Sequence, residues 1–147
     1  MEPIVLKLVG KERVCVISVA LEDGSPHSAV VHYSHQAEPL KIFIQTYPTI
    51  KVQAVSAKGG SAKASVVIGF SEEEFVTLQM RGGVRIVSDQ DYLERIYRIH
   101  YAKHPDAEKY KGPETVFFEF TPTWYKYSDF KGDPEKIIEG KLAPIEN

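Results

Sequence analysis

The sequence of 147 residues has little cysteine, tryptophan or methionine, and it carries no excess of charge of one sign. Its single cysteine, Cys15, permits no disulfide within the chain and no multi-cysteine metal site. The 18 lysine and arginine residues are balanced by 20 aspartate and glutamate residues, which leaves no general basic field for phosphate backbones. We therefore expect no nucleic-acid partner, although a local basic pocket remains compatible with this balance.

Long hydrophobic runs are also missing. Charged residues such as Lys7, Lys11 and Arg13 interrupt the N-terminal segment, so it lacks the apolar core of a secretory signal. No stretch is apolar for the length needed to cross a membrane. These absences predict a cytoplasmic protein with no membrane partner. The remaining composition, 43% hydrophobic and 11% aromatic, is typical of one globular domain over residues 1–147, with the charged residues 131–147 as a peripheral tail.

Short apolar segments separated by turn residues predict antiparallel strands. The pair Asp23-Gly24 is a strong hairpin signal between the first two strands. The pair Gly82-Gly83, inside a later strand, indicates a bulge or a sharp bend such as occurs at the corner of a small barrel. The predicted strands are residues 14–21, 27–34, 40–46, 63–70, 75–87, 115–120 and 124–127, the last two forming one interrupted strand.

Two helices are predicted between the strands. Residues 49–58 show helical spacing, with Thr49 as an N-cap and a glycine pair after the end. A second helix starts near Ser88 and must end before Pro105. About six antiparallel strands with helices inserted between them indicate an α+β protein built on a β-barrel.

Four segments carry a resemblance to a known family. They are CVISVALEDGSPHSAVVHY, IFIQTYPTIKVQAV, LQMRGGVRIVSD and TVFFEFTPTWYKYSDF. In this order the sequence resembles the pyridoxamine 5'-phosphate oxidase-like family of FMN-binding split barrels over about residues 14–130. The resemblance implies an α+β antiparallel split β-barrel, Greek-key-like, in a homodimer that binds one FMN per subunit at the interface.

A phosphate pocket is predicted where the third strand ends and the first predicted helix begins. Backbone N–H groups at the helix start, the hydroxyls of Thr46 and Thr49 and the ammonium of Lys51 suit a phosphate dianion. The family binds the FMN phosphate here with a Ser-x-Lys motif, so the resemblance gives Thr49 the hydroxyl role and Lys51 the cationic role. The alternative interpretation is an ordinary N-cap followed by a solvated lysine.

The resemblance also places the flavin along two strands. The second strand offers backbone donors and acceptors to the ring and the ribityl chain, which implicates Ala29, Val30, Val31 and His32, and on the third strand Ile44 and Gln45. Well-known members carry an arginine where this chain has Ala29 and a lysine where it has Ser34, so two cations are missing. Phosphate affinity would then depend mainly on Lys51, with Arg81 as a possible helper.

Three further residues complete the candidate set. A glutamine commonly reaches the flavin in this family from the strand that here covers residues 75–87, and Thr77 aligns with it. Gln79 lies two residues later and therefore on the same face of the strand. Trp124, the only tryptophan, either stacks on the flavin or is a packing anchor.

The expected function is that of a small flavin-dependent oxidoreductase with a small-molecule electron donor and acceptor that the sequence does not name. The arginine-rich C-terminal segment of true pyridoxine-phosphate oxidases is absent, so oxidation of pyridoxamine phosphate is not expected. Two alternatives stay open. One is a non-catalytic flavin-binding or haem-binding protein, and the other is a reductase that uses the deazaflavin F420 in the same groove.

Other candidate chemistry is weaker. His100 and His104 have the i, i+4 spacing of metal ligands, but no third ligand is near in sequence. We interpret them as helix-terminal histidines favoured by the helix dipole, and we expect no metal site. Cys15 lies in the most apolar strand and is interpreted as a core residue.

Overall fold

Antiparallel strands and short helices make up residues 1–143, the part of the chain that this computed structural model describes. The helices are α1 (Pro3–Lys11), α2 (Ile50–Ala57) and α3 (Gln90–Lys103), followed by a 3₁₀ helix at Pro105–Tyr110. The strands are β1 (Val14–Ala20), β2 (Pro26–Gln36), β3 (Lys41–Thr46), β4 (Ser61–Ile68), β5 (Val76–Ile86), β6 (Val116–Asp129) and β7 (Lys136–Lys141).

Six of the strands close into a barrel. The strand order is β3-β2-β1-β4-β5-β6-β7, and β3 also pairs with β6, so that β7 lies outside the ring beside β6. All pairings are antiparallel. The structure confirms the predicted α+β antiparallel split barrel of about six strands.

The barrel interior follows the two-residue period of its strands. Cys15, Ile17 and Val19 of β1 are buried, whereas the residues between them are partly exposed. Leu78, Met80 and Val84 of β5 join the same core. Branched and aromatic side chains that face one another across the barrel form this core, and Cys15 lies in it as expected.

The double glycine in β5 faces a bulge whose extra residue, Thr123, belongs to β6. The register with β6 shifts between Arg81 and Gly82, so that Arg81 pairs with Trp124 and Gly82 with Pro122. A Cβ on Gly82 would lie 2.0 Å from the carbonyl oxygen of Thr121, which only glycine avoids. The bulge lets β6 continue past Pro122 as one strand.

Two helices that pack on the barrel core differ in how well the sequence predicted them. The α2 helix was expected, and Val52 and Val55 bury against the core. The α1 helix was not expected, because its short apolar stripe also fits a strand. Val5 and Val9 of α1 are fully buried, and the Tyr33 hydroxyl donates a hydrogen bond to the Val9 carbonyl at 2.6 Å.

The third helix covers a second, smaller core on the outside of β3 and β6. Ile96 and Tyr101 of α3 pack on Phe43 and Phe117. At the start of α3, the Asp89 carboxylate accepts a hydrogen bond from the backbone N–H two residues later, at 3.1 Å. This layer determines which outward-facing side chains of the barrel are accessible.

The segment expected to be a peripheral tail contains a strand. Residues 136–141 form β7, which pairs with residues 124–129 of β6 at the edge of the sheet. Backbone hydrogen bonds hold it there although most of its side chains are exposed. Residues 144–147 of the expected tail lie outside the described residues. Among residues 1–143, no helix has the length and apolar character that a membrane crossing requires.

Candidate functional site

One edge of β2 is open along the split in the barrel. Residues 26–32 pair with β1 on one side, but β3 pairs only with residues 33–36. The Tyr33 N–H donates to the Arg13 carbonyl, and hydrogen-bonded pairs alternate along an antiparallel ladder. The backbone groups of Ser28, Val30 and His32 therefore point away from β1, towards the side that β3 leaves open.

Lys51 is the most distinctive group near the end of β3. Its side chain is only 7% exposed, and Nζ donates to the Thr49 hydroxyl at 3.0 Å. No carboxylate of residues 1–143 lies within 4.0 Å of Nζ. Burial lowers the pKa of Lys51. The interpretation as a solvated lysine is therefore wrong, because the chain buries this ammonium without an acidic partner.

The start of α2 adds hydrogen-bond donors to this position. Thr49 occupies the N-cap position, as predicted, but its side chain makes no capping hydrogen bond. The first backbone N–H groups of α2 therefore lack a side-chain acceptor. Thr46, at the end of β3, is buried close to them in sequence. The geometry of this corner of the barrel suits an anion.

The remaining residues expected on β2 and β3 contribute in different ways. The side chains of Ala29 and Val31 lie on the barrel-facing side of β2, opposite Ile17 and Cys15. Their backbone groups point towards β1 in the alternating ladder, so these two residues do not face the open edge. Ile44 is completely buried in the core. Val30 is 66% exposed and His32 is exposed, so these two side chains face outwards.

Only one of the two polar atoms of the Gln45 side chain has a hydrogen-bond partner within residues 1–143. Its Nε2 donates to the Ala107 carbonyl at 3.5 Å, whereas its buried Oε1 has no partner among the described residues. The side chain thus points under the 3₁₀ helix. We expect its backbone, rather than its amide, to be the part of Gln45 near the end of β3 that a ligand meets.

Thr77, Gln79 and Trp124 lie on a different part of the surface. The register places Gln79 beside Val67, Val67 beside Val16, and Val16 beside Val30. Gln79 is thus three strands from Val30, or about 14 Å at the usual strand spacing. Within this chain the structure does not bring these three residues together with the β2 edge.

Trp124 has defined partners on that second surface. The Arg81 guanidinium lies 3.9 Å from the centroid of its ring, and its Nε1 donates to Glu139 at 2.9 Å. Thr77 donates its hydroxyl to the Ile68 carbonyl at 3.3 Å. Arg81, expected to help Lys51, instead stacks on Trp124.

Ser34 occupies the position at which the resemblance led us to look for a lysine. Its side chain is buried beneath α3, and its hydroxyl lies 2.8 Å from Nδ1 of His100. A lysine at this position would have to displace the contact with α3. Ser34 therefore contributes a buried contact with α3 and no charge at this position.

His100 and His104 lie at the C-terminal end of α3, as predicted, but burial opposes the positive charge that the helix dipole would favour. Burial, reinforced by the neighbouring His104, lowers the pKa of His100 to about 3. Burial also lowers the pKa of His104, whose Nε2 lies 2.7 Å from the Tyr33 carbonyl. Residues 1–143 contain no cluster of three or more histidine, cysteine or acidic residues arranged to hold a metal ion.

Comparison with solved structures shows which fold this is. A pyridoxinephosphate oxidase family protein from Clostridium acetobutylicum, related to general stress protein 26 of B. subtilis, superposes with a TM-score of 0.71 at 18% identity, covering 94% of this chain and 92% of that one. A pyridoxamine 5'-phosphate oxidase-related, FMN binding protein from Nostoc punctiforme gives 0.64 at 11% identity, covering 90% and 87%. The chain has the pyridoxamine 5'-phosphate oxidase-like split-barrel fold.

Another split barrel of this fold, a heme binding protein from Mycobacterium smegmatis, gives a TM-score of 0.72 at 11% identity, with 91% of this chain and 55% of that chain covered. No protein-family model and no curated protein matches the sequence. At identities this low the likeness concerns the fold, so the ligand has to be argued from the residues of this split barrel.

A buried ionic cluster in this split barrel escaped the sequence analysis. Glu119 of β6 accepts hydrogen bonds from Arg85 Nε at 2.9 Å, from Lys41 Nζ at 3.2 Å and from the Tyr92 hydroxyl. Burial alone would raise the pKa of Glu119, but the hydrogen bonds from Arg85 and Tyr92 hold it below its usual value. A lone glutamate among phenylalanines, in the segment TVFFEF, was the available signal.

Proposed function

We propose that this split barrel binds FMN and acts as a small flavin-dependent oxidoreductase. The observation that carries the proposal is the buried ammonium of Lys51, which has a hydroxyl but no carboxylate beside it in the described structure. A buried cation without a counter-charge is unfavourable unless a bound anion supplies one. The phosphate of FMN would supply that charge.

The pocket offers hydrogen-bond donors that suit a phosphate dianion, in addition to a positive charge. Lys51 offers a charge-assisted hydrogen bond, and Thr49 offers a hydroxyl that can turn towards the ligand. The uncapped N–H groups at the start of α2 add dipolar donors. This combination is the usual way in which a helix N-terminus holds a phosphate.

The open edge of β2 would hold the rest of the cofactor. The free backbone N–H and C=O groups of Val30 and His32 can bond to the polar edge of the ring and to the ribityl chain. When bound, a flavin itself supplies the hydride and electron transfer, so the protein has to provide position and polarity. Exposed Val30 offers the apolar ring a surface to lie on.

We further propose that a homodimer completes the site. Val16, Val30 and Val67 lie side by side across three strands on the outside of the barrel, which leaves an apolar strip next to the open edge. Gln79, about 14 Å away within one protomer, could reach the flavin only from the partner subunit. A single interface would thus cover the valines and join the two sets of candidate residues.

Haem is the second candidate. His32 is an exposed imidazole next to the open edge of β2, and it could serve as an axial ligand. The Mycobacterium smegmatis protein that shares this fold over 55% of its chain is a heme binding protein. The deazaflavin F420 has less support, because the overall acidic balance of the chain and the alanine at position 29 offer little positive charge for a longer acidic tail.

An absorption spectrum of the purified protein separates these candidates, because oxidised flavin absorbs near 370 and 450 nm and haem gives a Soret band. If the protein is colourless, FMN and riboflavin are titrated separately. We expect FMN to bind at least about tenfold more tightly than riboflavin, because only FMN carries the phosphate. Turnover with NADH or NADPH then tests whether the flavoprotein is an enzyme.

The decisive variant is Lys51→Ala. We expect it to remove most of the preference for FMN over riboflavin while the melting temperature stays close to that of the wild type. Lys58→Ala is the matched control, since Lys58 follows the same helix but bonds only to the Ala20 carbonyl. If the Lys51 variant keeps the full preference for FMN, the phosphate does not bind at α2 and the assignment is wrong.

A further inference from the structure

A second groove lies on the outside of the barrel, apart from the start of α2. Its volume is 630 Å³, and Ser18, Lys63, Ser65, Arg81 and Gly83 are among the residues that line it. An adjoining groove of 410 Å³ shares Lys63 and Gly83 with it. Grooves of this size accommodate ligands from small metabolites to nucleotides.

Gly83 forms part of the floor of the groove, at a position where a larger side chain would fit. Gly82 is required by the close approach of β6, but a Cβ on Gly83 would meet nothing nearer than the Ala62 carbonyl oxygen at 3.8 Å. Gly83 also has no positive φ angle that would call for glycine. Glycine weakens a strand interior, and its presence there often marks close approach of a ligand or of another backbone.

The charges around this floor are positive and unpaired. Lys63 and Arg81 have no carboxylate within 4.0 Å among residues 1–143. No acidic side chain lines the larger groove. The acidic residue of the smaller groove, Glu119, is already bonded to Lys41 and Arg85. The groove therefore presents two free cations to a ligand.

Hydroxyl groups lie on the same surface. Ser18 of β1 pairs with Ser65 of β4, and Ser65 pairs with Arg81 of β5, so the two hydroxyls and the guanidinium form one row across the strands. Lys63 is two residues from Ser65 and shares its face. Trp124 supports the Arg81 guanidinium from one side, which limits its freedom to turn away.

We propose that this groove binds a phosphate-bearing small molecule over Gly83. A phosphate monoester carries a charge of about −1.5 to −2, which matches the two cations Lys63 and Arg81. The serine hydroxyls donate to its remaining oxygens, and the glycine floor leaves space for its organic part. The inference goes beyond the phosphate pocket at Lys51, because none of the lining residues belongs to α2 and only Pro26 belongs to the open edge of β2.

Calorimetric titration with adenosine 5'-monophosphate tests the proposal, with adenosine as the probe that lacks the phosphate. We expect the nucleotide to bind and adenosine to bind at least about tenfold more weakly. Lys63→Gln and Arg81→Gln should each weaken nucleotide binding by about tenfold. Gly83→Val, which fills the floor with a residue that favours strands, should abolish it.

Three controls make the outcome decisive. Gly112→Val places the same side chain in open space and should leave binding unchanged. Melting temperatures confirm that each variant folds. Lys51→Ala should keep nucleotide binding, and its loss there would show that the nucleotide occupies the α2 pocket instead, which would overturn the proposal while leaving the flavin site intact.

Two other results would also overturn it. Unchanged binding to a folded Gly83→Val protein would show that the ligand does not lie over Gly83. A Gly83→Val protein that loses its dimer, with no nucleotide binding in the wild type, would show that the groove is a contact between copies of the chain.

Discussion

Two regions of the barrel bury a charged side chain, and they treat it in opposite ways. Glu119, on β6, is surrounded by Arg85, Lys41 and Tyr92, which saturate its carboxylate. Lys51, at the start of α2, has the Thr49 hydroxyl as its hydrogen-bond acceptor and no carboxylate within reach in the described structure. Both side chains are more than nine-tenths buried.

This difference indicates that Glu119 has a structural role, whereas Lys51 has a role in ligand binding. A buried carboxylate with several donors holds its neighbours in place, and removing it leaves them without a partner. A buried ammonium without a counter-ion does not stabilise the fold that contains it. We infer that Glu119 serves the architecture and that Lys51 serves binding.

The largest expected effect is that of Glu119→Ala. It would leave the Tyr92 hydroxyl without its acceptor, and it would leave Lys41, which is only 14% exposed, with the Thr121 hydroxyl but no carboxylate. We expect a loss of about 3 kcal/mol in the free energy of unfolding, measured with urea. Glu114→Ala, at an exposed position shortly before β6, should change it by less than about 0.5 kcal/mol. A loss below about 1 kcal/mol for the Glu119 variant would show that Glu119 has no major structural role and that the contrast with Lys51 is wrong.

A third buried group, His100, differs from Glu119 and Lys51 because it can be buried in its neutral form. The pKa of His100 is lowered to about 3 by burial and by the neighbouring His104, so the unfolded chain takes up its proton first as the pH falls. The free energy of unfolding should therefore fall between about pH 6.5 and pH 3. Protonation of this residue in the unfolded chain should account for a loss of roughly 3 kcal/mol by pH 4.

The measurement is the free energy of unfolding from pH 7 to pH 4 for the wild type and for His100→Asn. The variant should start from a lower stability, because Ser34 loses its imidazole partner, but its curve should be flatter. Parallel curves for the two proteins would show that His100 is not the group that titrates.

The smallest expected effect is that of Lys51→Met on the FMN-free protein. Methionine keeps much of the apolar length of the side chain and removes the buried charge. We expect the free energy of unfolding to stay the same or to rise by up to about 1 kcal/mol. Lys58→Met, at an exposed position after α2, supplies the reference. A loss well above 1 kcal/mol would mean that Lys51, like Glu119, is held for its internal contacts.

Much of the barrel was predictable because its local signals agree with its pairing. Asp23-Gly24 marks the β1–β2 turn, and the double glycine marks the place in β5 that faces the bulge of β6. The α1 helix and β7 were missed, because each is short and depends on the surface on which it packs. The β6 strand was predicted as two pieces, since a proline normally breaks a strand. It continues because β6 carries its own bulge at Thr123, next to Pro122.

The candidate site was predictable in residue type but not in arrangement. A hydroxyl and an ammonium at a helix start can be recognised in the segment around Thr49 and Lys51. That Lys51 is buried, and that Ser34 lies under α3, depends on side chains that are distant in sequence. The same applies to Gln79, whose separation from Val30 follows from the order of four strands.

The sequence by itself determined the class of fold and its approximate strand positions, because alternation of apolar residues and turn chemistry act over a few neighbouring residues. Tertiary structure decided which charges are buried, which of them have partners, and which backbone edge stays open. Those properties depend on the register and closure of the barrel, where residues as distant in sequence as Lys41 and Glu119 come into contact.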